Sequence, residues 1–386
     1  MSDTTPRSIY LDYAATTPVD PGVVEAMLPF FTERYGNASS LYALGRDAYR
    51  ALEDARERFA ALINAQPTEV IFTGAGTESD NAALVGIANA AKARGKGSHI
   101  IVSAFEHHAV LRPAEALAKR GFDLTVLKPR EDGIVYAEDL RAVMRDDTVL
   151  VSVMHANNEI GTIQPIREIA RFTRARGVLL HTDAAQSAGK ISVDVDTLGV
   201  DLLTLAGHKF YAAKGVGALY IRQNTPVRNI SFGADHEHGL RPGTENVPAV
   251  VGFGVAAQLA RERLPQTASH LRGLRDQLHA QLSKAIPGLL LNGHPEERLP
   301  NTLHVSFPGT SGRRLLEQAR HIVAASLGSA CHSEHDAVSG VLAAMGFDSV
   351  RAAGAVRLSI GMMTTSDEVS RAANGLIEAW RRVANP

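Results

Sequence analysis

Val178-Leu179-Leu180-His181-Thr182-Asp183-Ala184-Ala185-Gln186 and Leu202-Leu203-Thr204-Leu205-Ala206-Gly207-His208-Lys209 are two apolar runs, each ending in groups able to do chemistry. Val178–Thr182 and Leu202–Leu205 read as buried strands, too short and too rich in branched side chains for helices. If they are neighbours in one parallel sheet, the carboxylate of Asp183 and the amine of Lys209 meet in the crevice outside the strand ends. The structural alternative is a salt bridge closing the top of the sheet.

Working outward, Val70–Thr73, His99–Ser103, Leu124–Leu127 and Val149–Met154 repeat the pattern, with amphipathic stretches between most of them. Such alternation predicts an α/β fold, a mainly parallel sheet with helices on both faces. After Val247 the texture changes. Helical patterns over Pro248–Ala260 and Ser269–Ala285 precede Thr302–Phe307, a loop carrying Cys331, Val356–Ile360 and a last helix, which together read as a smaller α+β domain. The expected division is a large domain over 15–262 and a small one built from 1–14 and 263–386.

The chain has 386 residues, 45% hydrophobic and 21% charged, with no repeat or low-complexity tract. Its 40 Lys and Arg against 41 Asp and Glu give no net field of the kind that draws a protein to nucleic acid or anionic lipid. The expected partner is a small molecule, with neither nucleic acid nor membrane. Met1 to Ser8 lack an apolar signal core, so a cytoplasmic protein is expected. The single cysteine, Cys331, is either an inert core thiol or a reactive one.

Three further segments sit after strand ends. Gly74-Ala75-Gly76-Thr77-Glu78-Ser79-Asp80 joins small residues to a Thr-x-x-Asp capping pattern, and its free N–H groups suit a phosphate; an ordinary capped turn is the alternative. Glu106-His107-His108 offers an imidazole able to stack on a ring and move protons. Met154-His155-Ala156-Asn157-Asn158-Glu159 offers amides. A lysine desolvated enough to form an imine with an aldehyde, and a carboxylate that keeps a pyridine nitrogen protonated, are the two demands of pyridoxal 5'-phosphate.

Together with Leu11-Asp12-Tyr13-Ala14-Ala15-Thr16-Thr17, Gly36-Asn37, Arg241-Pro242-Gly243-Thr244-Glu245-Asn246 and Gly328-Ser329-Ala330-Cys331, these motifs resemble the cysteine desulfurases of the class-V aminotransferase superfamily. The resemblance runs from Ile9 to about Thr365. It implies a fold-type I enzyme with a seven-stranded-type sheet, pyridoxal phosphate as cofactor and a homodimer with shared active sites. It further implies that Lys209 carries the cofactor as an imine and takes the substrate's α-proton, that Asp183 bonds the pyridine nitrogen and Gln186 the ring oxygen, and that His107 stacks on the ring. Gly76, Thr77 and His208 fall at the phosphate, Thr244 reaches the neighbouring subunit's phosphate, Asn158 lies near ring and substrate, and Asn37 and Arg357 grip the substrate carboxylate. Cys331 takes the chalcogen of L-cysteine or L-selenocysteine as a persulfide or selenosulfide, alanine leaves, and an acceptor protein is a further possible partner. His332 and His335 stand where they could favour the thiolate.

Some positions depart from the desulfurase pattern. Ala206 replaces a phosphate-binding serine, Ala212 and Ala213 replace a Gly-Pro, and Ala234-Asp235-His236-Glu237-His238 replaces a Gly-rich segment. His332-Ser333-Glu334-His335 after Cys331, with Ser39-Ser40-Leu41-Tyr42 and Arg298-Leu299-Pro300-Asn301-Thr302, resembles selenocysteine lyases and tilts the expectation to selenium. Two other classes stand beside these: an aminotransferase, which needs no thiol, and a scaffold or metal-binding protein using His236, His238, His332 and His335, although no Cys/His spacing supplies a closed ligand set and no metal is expected.

Overall fold

The computed structural model describes residues 8–328 and 339–384. Cys331, His332 and His335 lie outside the described residues. Strand β1 (Ile9–Tyr10) opens the chain beside Val323–Ala324, with which it pairs in parallel. The main sheet follows: β2 (Val70–Thr73), β3 (His99–Ser103), β4 (Asp123–Leu127), β5 (Thr148–Ser152), β6 (Leu179–Asp183), β7 (Leu202–Ala206) and β8 (Gly217–Ile221), in the order β2-β8-β7-β6-β5-β3-β4. Only β8 runs against its neighbours, so β2, β3, β5, β6 and β7 all deliver their following loops to one edge. β3, β5, β6 and β7 are buried almost throughout because helices cover both faces; edge strand β4 is partly exposed.

β8 was not foreseen. Its antiparallel return from β7 puts no α-helix between the two, so it lacks the strand–helix alternation that reveals the others. The opposite edge, β2, is closed by side chains. Arg56 Nη1 donates to the Val70 carbonyl at 2.9 Å, and the Phe72 amide donates to Glu237 Oε2 at 2.7 Å. Arg56 and Glu237 are paired by two further bonds, of 2.7 and 2.8 Å, which leaves this sheet edge without free backbone groups at those points.

The smaller sheet is β9 (Leu290–Leu291), β10 (Thr302–Ser306) and, after the short β11 (Val323–Ala324), β12 (Ala355–Ser359), in the order β12-β10-β9. It packs with Ile9, Leu11, Leu271, Leu274, Leu278 and Leu282 into a core of its own. Val341, Leu342, Met345 and Ala352, in contrast, pack into the main core. The two helical patterns expected after Val247 are one helix of 39 residues, Val247–Ala285. Pro265 lies inside it and removes one N–H donor, yet burial of Val250, Phe253 and Ala257 on one side and of Leu271, Leu274 and Leu278 on the other carries the helix through. Gly254 lets it touch the helix Ala43–Ile63, since a methyl group there would lie 2.6 Å from Ala55 Cα.

Candidate functional site

The carboxyl edge of the main sheet gathers the predicted groups. β7 runs into Gly207-His208-Lys209, and Lys209 Nζ donates to the carbonyls of Ala14 and Ala15 at 2.8 Å each. Burial pushes this amine down to about 8, helped by the charge of Arg357 and opposed by those of Asp183 and Asp12. Asp183, at the end of β6, accepts from the Ala185 amide at 2.9 Å. Burial raises its carboxyl, against the pull of that amide, His107 and Lys209. Gln186 donates through Nε2 to Ala14 at 2.9 Å, while its buried Oε1 has no protein partner.

His107 caps the helix His108–Ala118, its Nδ1 accepting from the Ala109 amide at 3.1 Å. Its imidazole is lowered first by desolvation, with Asp183 pulling the other way and Lys209 adding to the fall. His208 Nδ1 lies 3.1 Å from Thr16 Oγ1, and burial takes its pKa down to about 4. Both rings are therefore neutral near pH 7.

The helix Gly76–Ala93 begins one residue before Thr77, so the capping pattern read from Thr77 and Asp80 is corrected: the N-cap is Ala75, which has no side chain to cap with. Asp80 turns into the core, 3.5 Å from His181 Nε2. The first-turn N–H groups thus have no N-cap side chain, the condition for receiving an anion. Gly76 is fitted closely here, since a methyl group on it would lie 3.1 Å from Ala206 Cβ. Ala206 brings no hydroxyl. Glu78 Oε2 accepts from the Gly74 amide at 2.6 Å and Oε1 from Arg241 Nε at 3.1 Å.

Arg357 on β12 reaches the same crevice. Its Nη1 donates to the Asn158 carbonyl at 2.7 Å and its Nη2 to Asp12 Oδ1 at 2.8 Å, while buried Nε has no partner among the described residues. Asp12 holds the guanidinium and also bears on Lys209, a role not foreseen for it within its Leu-Asp-Tyr motif. Lys190, likewise unforeseen, is buried and donates to the Lys209 carbonyl at 3.1 Å, its amine pushed down to about 7 by burial and by Lys209. The Gly-Lys that follows Ser187-Ala188 is the only sequence signal it gives.

Lys209, Asp183, Gln186, His107, His208, Asn158 and Arg357 are thus brought to one edge. Asn37 and Thr244 are not joined to them: both are exposed, and Asn37 Oδ1 accepts from the Ser39 amide at 2.9 Å. His236 Nε2 contacts Ser39 Oγ at 3.3 Å. Among the described residues no group of three His, Cys, Asp or Glu could hold a metal ion, and no helix is long and apolar enough to cross a membrane.

These residues fit pyridoxal phosphate on the chain's own evidence. They supply an amine desolvated towards neutrality, a buried carboxyl beside it, a buried amide oxygen with no protein partner, and a helix start without a capping side chain. Comparison with known proteins agrees. The model of the family described as Aminotransferase class-V matches residues 9–372. The chain is 45% identical over 365 residues, 94% of its length and 92% of the relative's, to "Cysteine desulfurase IscS" of Dictyoglomus turgidum. Among solved structures, a NifS-like protein superposes with a TM-score of 0.90 at 37% identity, covering 96% of this chain and 98% of that one. A structure described as SspA in complex with cysteine superposes at 0.82 with 34% identity, over 93% of this chain and 100% of that one. The chain belongs to the class-V aminotransferase family and is an enzyme that works with pyridoxal phosphate.

Proposed function

We propose that this enzyme is a cysteine desulfurase, converting L-cysteine to L-alanine and leaving the sulfur on Cys331 as a persulfide. The supporting observation is the meeting of Lys209, Asp183 and Arg357 at one sheet edge, with Arg357 Nε left free of protein partners, in a chain similar along its length to proteins named for that activity. Bound through Lys209, pyridoxal phosphate supplies the electron sink that weakens the bond between Cβ and sulfur. Arg357, with Asn37 as a second contact, binds the substrate carboxylate, because a guanidinium fork matches it. Lys209, with a pKa near neutrality, holds and moves the α-proton. With the cofactor bound, Asp183 would hold the ring nitrogen, Gln186 the ring oxygen and His107 the ring face. Gly76, Thr77 and His208 take the phosphate.

Atoms balance without any further reagent. The bond from Cβ to sulfur breaks, a sulfur–sulfur bond forms at the Cys331 thiolate, and the proton count of cysteine plus thiol equals that of alanine plus persulfide. Thr244, exposed on its own chain, serves the phosphate of a second subunit in a homodimer. The persulfide passes to an acceptor protein, and the setting is the cytoplasm. The segment after Cys331 resembles selenocysteine lyases, which makes L-selenocysteine the second substrate to try.

The test is alanine release by cofactor-loaded enzyme from L-cysteine and L-selenocysteine side by side, with Cys331→Ala as control. Release from cysteine that collapses in the variant supports desulfuration. Release from selenocysteine alone replaces that reading with a selenocysteine lyase, and alanine from neither substrate ends both.

A further inference from the structure

On the buried side of Asp183 lies a set of ionisable groups that desulfuration leaves unused. His181 is two residues before Asp183 on β6, hence on the same face of the strand, and is fully buried. Its Nδ1 is 2.8 Å from Ser152 Oγ and its Nε2 is 3.1 Å from Thr204 Oγ1. Thr204 stands opposite Asp183 in the β6–β7 register and its hydroxyl also bonds Asp80. Asp80 reaches in from the helix Gly76–Ala93, 1% exposed, its Oδ1 3.5 Å from His181 Nε2 and without a hydrogen bond. From the β3 side, Glu106 Oε1 accepts from Ser103 Oγ at 2.5 Å and from the Met154 amide at 2.6 Å, and Oε2 has no partner.

A carboxylate removed from water with neither a cation nor an N–H group on it is costly, and such a group keeps its proton. Asp80 has no such support. Its nearest base, His181, is pushed down to about 3 by burial and stays neutral. Burial and then the charge of Asp183 raise Asp80 against the pull of the Thr204 hydroxyl, and Glu106 is raised to about 8, chiefly by burial. Glu106 shares with Asp183 the support of an amide, but Asp183 alone among the three carboxyls has Lys209 and His107 drawing its pKa down.

We propose that Asp80 is a positioning residue held as a neutral carboxylic acid through Thr204 and His181, so that Asp183 is the single carboxylate presented to the cofactor's ring nitrogen. A second negative charge beneath Asp183 would raise its pKa and return its proton, the outcome seen wherever two carboxyls share a site. The proposal rests on the assignment of Asp183 to that nitrogen.

Infrared difference spectra of the holoenzyme and Asp80→Asn test it directly. The expected loss is the carbonyl stretch of a protonated acid; loss of a carboxylate stretch overturns the proposal. In the same two proteins the visible absorbance of bound cofactor is titrated with pH. Its midpoint is expected to move by less than about 0.5 units, whereas removal of a charge at this range would move it by about 1–3 units. Asp80→Ala, which removes the hydrogen-bonding group, is expected to weaken cofactor retention, and Asp80→Asn to restore it; equal loss in both overturns the positioning role. Asp183→Ala is the separate control: if its titration matches the parent enzyme, the assignment of Asp183 fails, while the infrared result still decides the protonation of Asp80.

Discussion

Two buried charge clusters in this molecule are built to opposite rules. At the β2 edge, Arg56 and Glu237 spend their polar atoms on each other and on nearby groups: two bonds between them, one from Arg56 to the Val70 carbonyl, one from the Phe72 amide to Glu237, and one from Arg56 to Glu53. At the carboxyl edge of the same sheet, Gln186 Oε1 and Arg357 Nε are buried without a partner among the described residues, and Lys209 Nζ donates to two carbonyls. Saturation marks a fastening. Leftover capacity on Gln186 and Arg357, beside a desolvated amine, suits a place that a ligand completes, because an unmet buried polar group is costly.

Substitutions should therefore split into losses of chemistry at one cluster and losses of stability at the other. The largest effect is expected for Lys209→Ala, with alanine formation falling at least about 10²–10⁴-fold from the loss of the proton-transfer group alone, at near-parent thermal stability. A small effect would remove Lys209 from the reaction. Arg56→Ala should do the reverse: denaturant unfolding reports a loss of about 3–5 kcal/mol, since Glu237 is left buried and unpaired, while alanine release per folded molecule is kept. A loss of activity beyond the unfolded fraction would mean that the fastening is not separate from the site.

Arg357→Lys keeps the charge and loses the fork. KM for cysteine is expected to rise about 10–100-fold, the worth of one or two charge-assisted bonds, with kcat changed less; an unaltered KM would place the substrate carboxylate elsewhere. The smallest effect is a shift in pH. Lys209 titrates at about 8 and Asp12 is among the charges raising it. Below that value the freed amine is protonated and cannot accept the α-proton, so kcat should fall on the acid side of a limb near 8. Asp12→Asn removes a negative charge that favoured the ammonium form, and the limb should move to lower pH by about one unit or less. Movement to higher pH would contradict the geometry.

The same contrast explains what could be read in the sequence. Asp183 and Lys209 were legible because each ends a short apolar run, and strand ends converge by the rules of parallel sheets. The Arg56–Glu237 fastening was not, since its partners come from a helix and a loop far apart in the chain, and neither sits in a local pattern. Local signals also misled where burial overruled them. Thr77 and Asp80 look like a cap, yet Asp80 turns inward to His181; Pro265 looks like a helix end, yet the apolar faces on both sides keep the helix whole. Asn37 and Thr244 were assigned by resemblance and are exposed on the single chain; no short-range rule in the sequence gives their surroundings.

The unbroken helix Val247–Ala285 sets a mechanical tolerance. At 39 residues it is a beam about 58 Å long, embedded at one end beside the strands that carry Asp183 and Lys209 and at the other beside the sheet that carries Arg357. A tilt of about one degree at the first end displaces the second by about 1 Å over that length, a distance on which catalytic alignment depends. The alignment between the group that holds the substrate and the group that moves its proton is thus a matter of flexural stiffness, and substitutions in the middle of the beam become a means of tuning the enzyme.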